Sequence, residues 1–324
     1  MPQLSVESTL PKSTFTSGVP SPQFQSRKFD WSVVTSARTR PSLVELAAFD
    51  AANIAETTSM ITKSLLAYNG NVPLQQAFAL NAFLFTLLNK KLFTVLTPSG
   101  FAHALFLGTM LWTTLGWRGW TTVVVYFFLG VAVTKVKFQE KLQRGIAEKR
   151  GGRRGPENVW GSAATALMCA ACAAQGDSFL GMGRDLYLLG FVASLATKLS
   201  DTFASEIGKA YGKTTFLITT LERVSPGTEG AVSAEGTIAS VVGGTLLTLY
   251  SYSIGLIGEG SSGLYAIGIS TLAAFIATNI ESVLGATVQD KEGLSWLTND
   301  VVNFLNTLIG AILAIAGGKI VLGM

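Results

Sequence analysis

Histidine is nearly missing from this chain: His103 is the only one in 324 residues. A metal centre built on several imidazoles is therefore excluded, and His103 reads as a structural or interfacial side chain. Charge is scarce too. Asp, Glu, Lys and Arg make up 14% of the chain, against about 25% in soluble domains. Hydrophobic residues reach 48% and the mean hydropathy is +0.42. That balance excludes an ordinary soluble fold and implies an all-α, polytopic transmembrane helix bundle. Cysteine is limited to Cys169 and Cys172. Their C-A-A-C spacing matches a redox motif in its letters, but an alanine-rich apolar run reads as helix packing. Gly212-Lys213-Thr214 lacks the earlier glycine of a phosphate-binding P-loop. That position is Ile207, and the segment follows a helix instead of a strand. Repeated aspartates of the D-x-x-x-D or D-G-x-x-A-R type are absent as well; four positions after Asp201 stands Ser205.

The N-terminal residues 1–41 hold no apolar core of the kind a secretory signal needs. They are rich in Ser and Thr, with Lys12, Arg27, Lys28, Arg38 and Arg40 against Glu7 and Asp30. The composition suits an organelle transit peptide or a disordered extension. Residues 42–70 carry Leu43, Leu46, Phe49 and Ile54 among Glu45, Asp50 and Glu56. This amphipathic segment either lies in the interface or packs on the bundle. Residues 72–324 form the expected transmembrane catalytic domain. Eight apolar spans are expected there, about 7–8 of them helices that cross: Val72–Leu88, Gly100–Trp117, Trp120–Val136, Val159–Ala174, Leu186–Ala204, Thr237–Ile257, Leu264–Ala286 and Val301–Leu322. The first is weak, the fourth short, and a turn at Arg118-Gly119 joins the second to the third.

Charge distribution orients these spans. Lys135, Lys137, Lys141, Arg144, Lys149, Arg150, Arg153 and Arg154 crowd one loop. Positive loops stay on the side of insertion, the cytosol or the stroma. Counting crossings from there brings the loops after Ser205 and after Ala286 to that same face. Connections on the opposite face, Gln175–Asp185 and Gly258–Gly263, are short. One-sided polar loops favour a site on one face over an alternating-access transporter.

The stretch Ala196–Lys213 leads into that face. Lys198, Asp201, Thr202, Ser205, Glu206 and Lys209 recur at offsets of 0, 3, 4, 7, 8 and 11, one face of a helix. Each ionisable group costs roughly 2.5–3.5 kcal/mol at a bilayer centre. Four facing lipid would cost roughly 10 kcal/mol, so the stripe must face protein or a watery cavity. The glycine-rich run Glu148–Pro156 supplies forked arginine donors for phosphate. The loop Thr219–Thr237 holds Gly227, Thr228 and Gly230, with Glu229 and Glu235. Asn279, Glu281, Ser282 and Asp290, then Asn299, Asp300, Asn303 and Asn306, add polar groups at two further helix ends. Oxygen ligands without a histidine cluster suit Mg²⁺. Acids, cationic clamps and glycine loops at a membrane face point to phosphate chemistry on a lipid or nucleotide.

Longer motifs carry a resemblance. They are T-K-V-K (Thr134–Lys137), A-E-K-R-G-G-R-R-G-P (Ala147–Pro156), K-L-S-D-T-F-A-S-E-I-G-K-A-Y-G-K-T-T (Lys198–Thr215), P-G-T-E-G-A-V-S-A-E-G-T (Pro226–Thr237), N-I-E-S-V-L-G-A-T-V-Q-D-K-E-G (Asn279–Gly293) and N-D-V-V-N (Asn299–Asn303). Together they resemble the membrane-protein family that contains the chloroplast phytyl-phosphate kinase of vitamin E biosynthesis. The resemblance runs from about Ser42 to the C terminus and is densest from Thr134. It implies transfer of a phosphoryl group from a nucleoside triphosphate, CTP for preference, to phytyl phosphate. The diphosphate product would serve tocopherol and phylloquinone synthesis and phytol recycling. It also implies a chloroplast membrane, envelope or thylakoid, with the active face to the stroma.

No residue roles come with the resemblance, so the assignment rests on the residues themselves. Lys198, Asp201, Glu206 and Lys209 are the expected catalytic groups. Asp201 and Glu206, with Asp290 or Asp300, are the expected Mg²⁺ ligands. Lys137, Arg150, Arg153, Arg154, Lys213, Thr214, Gly227, Thr228 and Gly230 are expected to bind phosphate or nucleotide. The expected partners are an isoprenoid phosphate and membrane lipid, not nucleic acid, with the isoprenoid tail between helices; the oligomeric state is left open. Two alternatives stay open: a transporter or ion exchanger using Lys198, Asp201 and Glu281, and another prenyl-phosphate or CDP-alcohol transferase.

Overall fold

A computed structural model of the chain describes residues 43–65, 70–176, 179–258, 260–288 and 296–323. The expected transit segment and Asp290 lie outside the described residues. Contacts divide the chain into a unit ending at Ala52 and a unit beginning at Asn53. Helix α1, Leu43–Leu65, starts in the first; all that follows concerns the second.

Among the described residues the second unit is a helical bundle. Helix α2 (Leu74–Leu87) meets α3 (Asn89–Val95) at a bend of 81°, which breaks the span expected over Val72–Leu88. Helix α4 (Pro98–Lys135) opens with Thr97 Oγ1 accepting from the Gly100 N–H at 3.0 Å and with proline in its first turn. It is one helix only in name. Gly116 sits at φ 64°, ψ −157°, backbone that only glycine adopts readily. The Trp112 and Trp120 rings lie 4.8 Å apart across it, so the two arms fold back on each other as a hairpin. The two expected spans, Gly100–Trp117 and Trp120–Val136, are thus both present. Their turn is at Gly116 instead of Arg118-Gly119, because Gly119 packs against Leu115 across the turn.

Short helix α5 (Phe138–Gln143) and a 3₁₀ turn at Lys149–Gly152 lead to α6 (Pro156–Ala174). Helix α7 (Arg184–Tyr211) follows, 28 residues long. It runs through the expected span Leu186–Ala204 and continues to the end of the polar stripe. Strands β1 (Phe216–Leu217) and β2 (Ala231–Val232) pair antiparallel, the one departure from an all-α expectation among the described residues. Helices α8 (Ala234–Ser253), α9 (Gly260–Val288) and α10 (Asn299–Leu322) complete the bundle. Ser233 Oγ caps α8, and Thr298 Oγ1 caps α10.

Ten α-helices are therefore described, against the 7–8 expected. By length and apolarity α4, α9 and α10 suffice to cross a membrane, and the bent α2–α3 pair makes a fourth if taken as one span. Each α4 arm is about 27 Å long at 1.5 Å per residue. The remaining long helices, α6, α7 and α8, are shorter, richer in small residues, or interrupted by the charged stripe.

Helix α7 is the axis of the bundle. It contacts α4, α6, α8, α9 and α10, and every residue from Leu186 to Ser200 is buried. Thr165 and Thr307 hydroxyls meet at 2.9 Å between α6 and α10. At one end of the bundle Arg118 Nη1 donates to Gly255 O at 2.7 Å, and Arg184 Nη1 to Ala173 O at 2.9 Å. This end holds the hairpin turn and the connections α6–α7 and α8–α9. The opposite end gathers the segments 136–155, 212–233 and 296–298. Arg154 ties them to the start of α4: its N–H donates to Val95 O, and its carbonyl accepts from Thr97 N–H. Arg144 Nη1 reaches Lys209 O at 2.9 Å. Among the described residues the polar loops converge at one end, as counting crossings leads one to expect; positions 289–295 of the loop after Ala286 lie outside the described residues.

Candidate functional site

At the polar end a cavity of about 720 Å³ opens between α6, α7, α8, α9, α10 and the loop 145–149. Three helices bring the polar groups that the apolar pattern left unexplained. From α7 come Lys198, Asp201, Glu206 and Lys209; from α9, Asn279, Glu281 and Ser282; from α10, Asn299 and Asn303. The stripe on α7 is thereby sheltered from lipid by protein and cavity together.

Lys198 is the innermost cation. Its Nζ donates to Asp201 Oδ2 at 2.5 Å and to Asn303 Oδ1 at 2.6 Å. Glu281 faces Asp201 within hydrogen-bonding reach, and Glu229 is its next carboxylate neighbour. Two carboxylates so placed need a shared proton or a cation between them. Among the described residues no group of three or more His, Cys, Asp or Glu side chains could hold a metal ion alone. The donor set still fits Mg²⁺, which commonly takes one or two carboxylates and completes its shell with water and substrate phosphate.

Glu206 was expected beside Asp201 as a metal ligand. It lines the cavity, but its Oε2 is held by Lys141 in an ion pair, and its Oε1 lies 3.9 Å from Lys209. Lys141 is 0% exposed and Glu206 3%. Lys141 Nζ also donates to Thr134 O at 2.9 Å, closing the α4–α5 corner against α7. Any metal at Glu206 would have to displace this pair.

The basic loop divides. Arg154 borders the cavity, with Nη2 donating to Thr134 Oγ1 at 3.1 Å and Nη1 3.8 Å from Glu148. Lys149 borders it too. Arg150 instead pairs with Glu157 and donates to Asn158 Oδ1 at 3.0 Å, while Arg153 donates to Leu96 O at 3.0 Å. Lys137 sits 3.3 Å from Glu140 and 4.6 Å over the Tyr211 ring. Lys213 is exposed, and neither it nor Thr214 lines the cavity; the neighbouring Thr215 does. Asp300 is also outside the lining, in the first turn of α10 behind the Thr298 cap. Gly227, Thr228 and Gly230 do form one wall. Gly230 has φ 72°, and a Cβ there would stand 2.6 Å from Ser282 O, so glycine lets this loop lie on α9.

Sequence reasoning passed over Lys149 and Asn158 as site residues and left Glu281 to a transporter reading. Asn158 also orders the loop, its Oδ1 accepting from Gly155 N–H at 2.9 Å. The signal for it was a helix start, P-E-N, directly after the arginine run.

A second, apolar groove adjoins the cavity. It is walled by α2 (Leu84, Phe85), the bend at Leu88, α3 (Leu92), the second arm of α4 (Val123, Phe127, Gly130) and α6 (Val159, Ala163). Arg154, Asn158, Ser162 and Thr202 line both spaces.

Comparison with known sequences places the cavity in a shared region. The family profile described as "Integral membrane protein DUF92" matches residues 81–311, which include every cavity residue. The uncharacterized membrane protein sll0875 of Synechocystis sp. is 55% identical over 244 residues, 75% of this chain and 90% of its own. Protein VTE6, chloroplastic, of Arabidopsis thaliana is 45% identical over 244 residues, 74% of this chain and 71% of its own. The uncharacterized membrane protein MJ0933 of Methanocaldococcus jannaschii is 29% identical over 220 residues, 68% of this chain and 84% of its own. No solved structure matches the chain.

Proposed function

We propose a function from one premise: the chain belongs to the integral membrane protein family DUF92. It is a prenyl-phosphate kinase that converts phytyl phosphate to phytyl diphosphate with a nucleoside triphosphate, CTP for preference. The observation that carries this reading is the single cavity where Lys149, Arg154, Lys198 and Lys209 face Asp201 and Glu281. Both substrates are anions, so bringing them together is the main task, and cations in a sheltered site perform it. The motif resemblance to the phytyl-phosphate kinase family, and the likeness to a protein named as chloroplastic, support the substrate class and a chloroplast membrane.

In the reaction a phosphate oxygen of phytyl phosphate attacks the γ-phosphorus of the nucleotide. The bond from that phosphorus to the β,γ-bridging oxygen breaks, and the nucleoside diphosphate leaves. The attacking oxygen is already anionic, so no strong base is required. Arg154 and Lys149 hold the phosphates at the rim. Lys198, drawn from Asp201 toward the transferred group, and Lys209 balance its charge. Asp201 and Glu281 would hold Mg²⁺, which would supply positive charge against the nucleotide phosphates. Asn303 keeps Lys198 oriented. All eight passages, the bent α2–α3 pair, both arms of α4, and α6 to α10, cross the membrane, with the cavity facing the stroma.

The test is product identity. Purified protein in liposomes receives phytyl phosphate, CTP and Mg²⁺, and phytyl diphosphate and CDP are followed. Both should accumulate one for one. Release of CMP or pyrophosphate would identify a transferase instead, and flux without nucleotide turnover a transporter. Asp201→Asn should lower turnover on the order of 10²-fold or more while expression and insertion stay normal. Full activity in that variant would remove Asp201 from the mechanism.

A further inference from the structure

We infer that the apolar groove beside the cavity is the subsite for the hydrocarbon chain of the phosphate substrate, entered through a neck at Gly130. The inference rests on the phosphate-transfer reading, which places the head group in the polar cavity. Four residues line both spaces: Arg154, Asn158, Ser162 and Thr202. A molecule with one anionic end and one hydrocarbon end fits such a junction, its head on Arg154 and its chain against Leu92, Val123 and Phe127.

The anchor is well fixed. Arg154 is pinned by backbone bonds to Val95 and Thr97, and its guanidinium donates to Thr134. Gly130 lies one helical turn from Thr134, its carbonyl accepting from the Thr134 hydroxyl at 2.8 Å. It is buried and lines the groove, yet a Cβ added there would meet nothing within 4 Å. The space is the groove itself, just past the head-group junction. Deeper along the same arm come Phe127, Val123 and Trp120, so the lining from Gly130 to Trp120 spans about 15 Å of helix. At the outer rim Phe128 and Leu88 are 47% and 37% exposed, where a chain can slide in from the bilayer without crossing water.

Two substitutions at different depths test this. Gly130→Leu fills the neck and should raise the KM for both phytyl phosphate (C20) and geranyl phosphate (C10), on the order of tenfold. Val123→Phe sits about 10 Å deeper and should raise the KM for phytyl phosphate while sparing geranyl phosphate. Neither should change the KM for CTP. Unchanged KM values for both lipids in both variants would overturn the subsite, as would equal effects on lipid and CTP. A second measurement needs no turnover. A phytyl monophosphate bearing a terminal diazirine is photolysed with the wild-type protein in nanodiscs, and the adducts are mapped. Adducts on Val123, Phe127 or their groove neighbours, lost on adding phytyl phosphate, are expected. Such adducts without phosphoryl transfer would keep the subsite and overturn the kinase reading. Adducts only on outward faces would overturn the subsite, as would adducts lost equally on adding phosphatidylglycerol, which would assign the groove to bilayer lipid.

Discussion

Lys141 and Glu206 show how a residue's neighbourhood changes its meaning. Each is a plausible phosphate-site group by type, but together they form an ion pair shut off from solvent. Burying two charges is costly, and the pair is tolerable only because both partners are present and Thr134 O takes a further bond from the lysine. Removing one partner leaves a buried charge unmatched, at a cost of about 3–5 kcal/mol. Lys141→Met and Glu206→Leu should therefore each lower the melting temperature of the detergent-solubilised protein markedly at a fixed scan rate. The double variant should recover much of the loss, since neither charge is then stranded. If both single variants melt with the wild type, the pair does not hold the α4–α5 corner to α7. Asp201 and Glu281 also lie within hydrogen-bonding reach of each other, but both line the cavity, so their loss should fall on turnover more than on folding.

Among elements, the apolar stretches of α4, α9 and α10 were legible because lipid imposes length and composition on a helix. The α7 stripe was legible because a 3.6-residue period sorts charge onto one face. What the sequence hid was pairing across distance. Glu206 and Lys141 are separated by 65 residues, and nothing local marks one arginine of R-G-G-R-R as facing the cavity while its neighbours bind Glu157 and Leu96. The hairpin in α4 was legible in kind but not in position. L-G-W-R-G-W offers two glycines, and only the backbone shows that Gly116 turns while Gly119 packs on Leu115. Gly116→Ala should cost about 1–3 kcal/mol, because φ 64°, ψ −157° is essentially closed to a residue with a Cβ. The expected readout is a lower melting temperature; a variant that melts unchanged would mean the turn can be made another way.

At the scale of the whole molecule, the bundle is sided. Among the described residues the cavity, the basic loop and the β1–β2 hairpin share one end, and the other end carries the turn in α4 and the α6–α7 and α8–α9 connections. Positive charge next to the spans keeps that loop on the side of insertion, so both nucleotide and metal would arrive from there. This predicts which exposed positions a membrane-impermeant maleimide reaches. In a background with Cys169 and Cys172 replaced by alanine, Glu222→Cys and Thr219→Cys belong to the cavity end, and Gln175→Cys and Ser253→Cys to the opposite end. In sealed right-side-out bacterial vesicles the second pair should label at once, and the first only after permeabilisation. Labelling of all four from one side would mean that an odd number of passages between them is re-entrant. Labelling of Glu222→Cys and Thr219→Cys from outside sealed vesicles would open the cavity to the side away from insertion, and a kinase fed with nucleotide from the side of insertion would be ruled out.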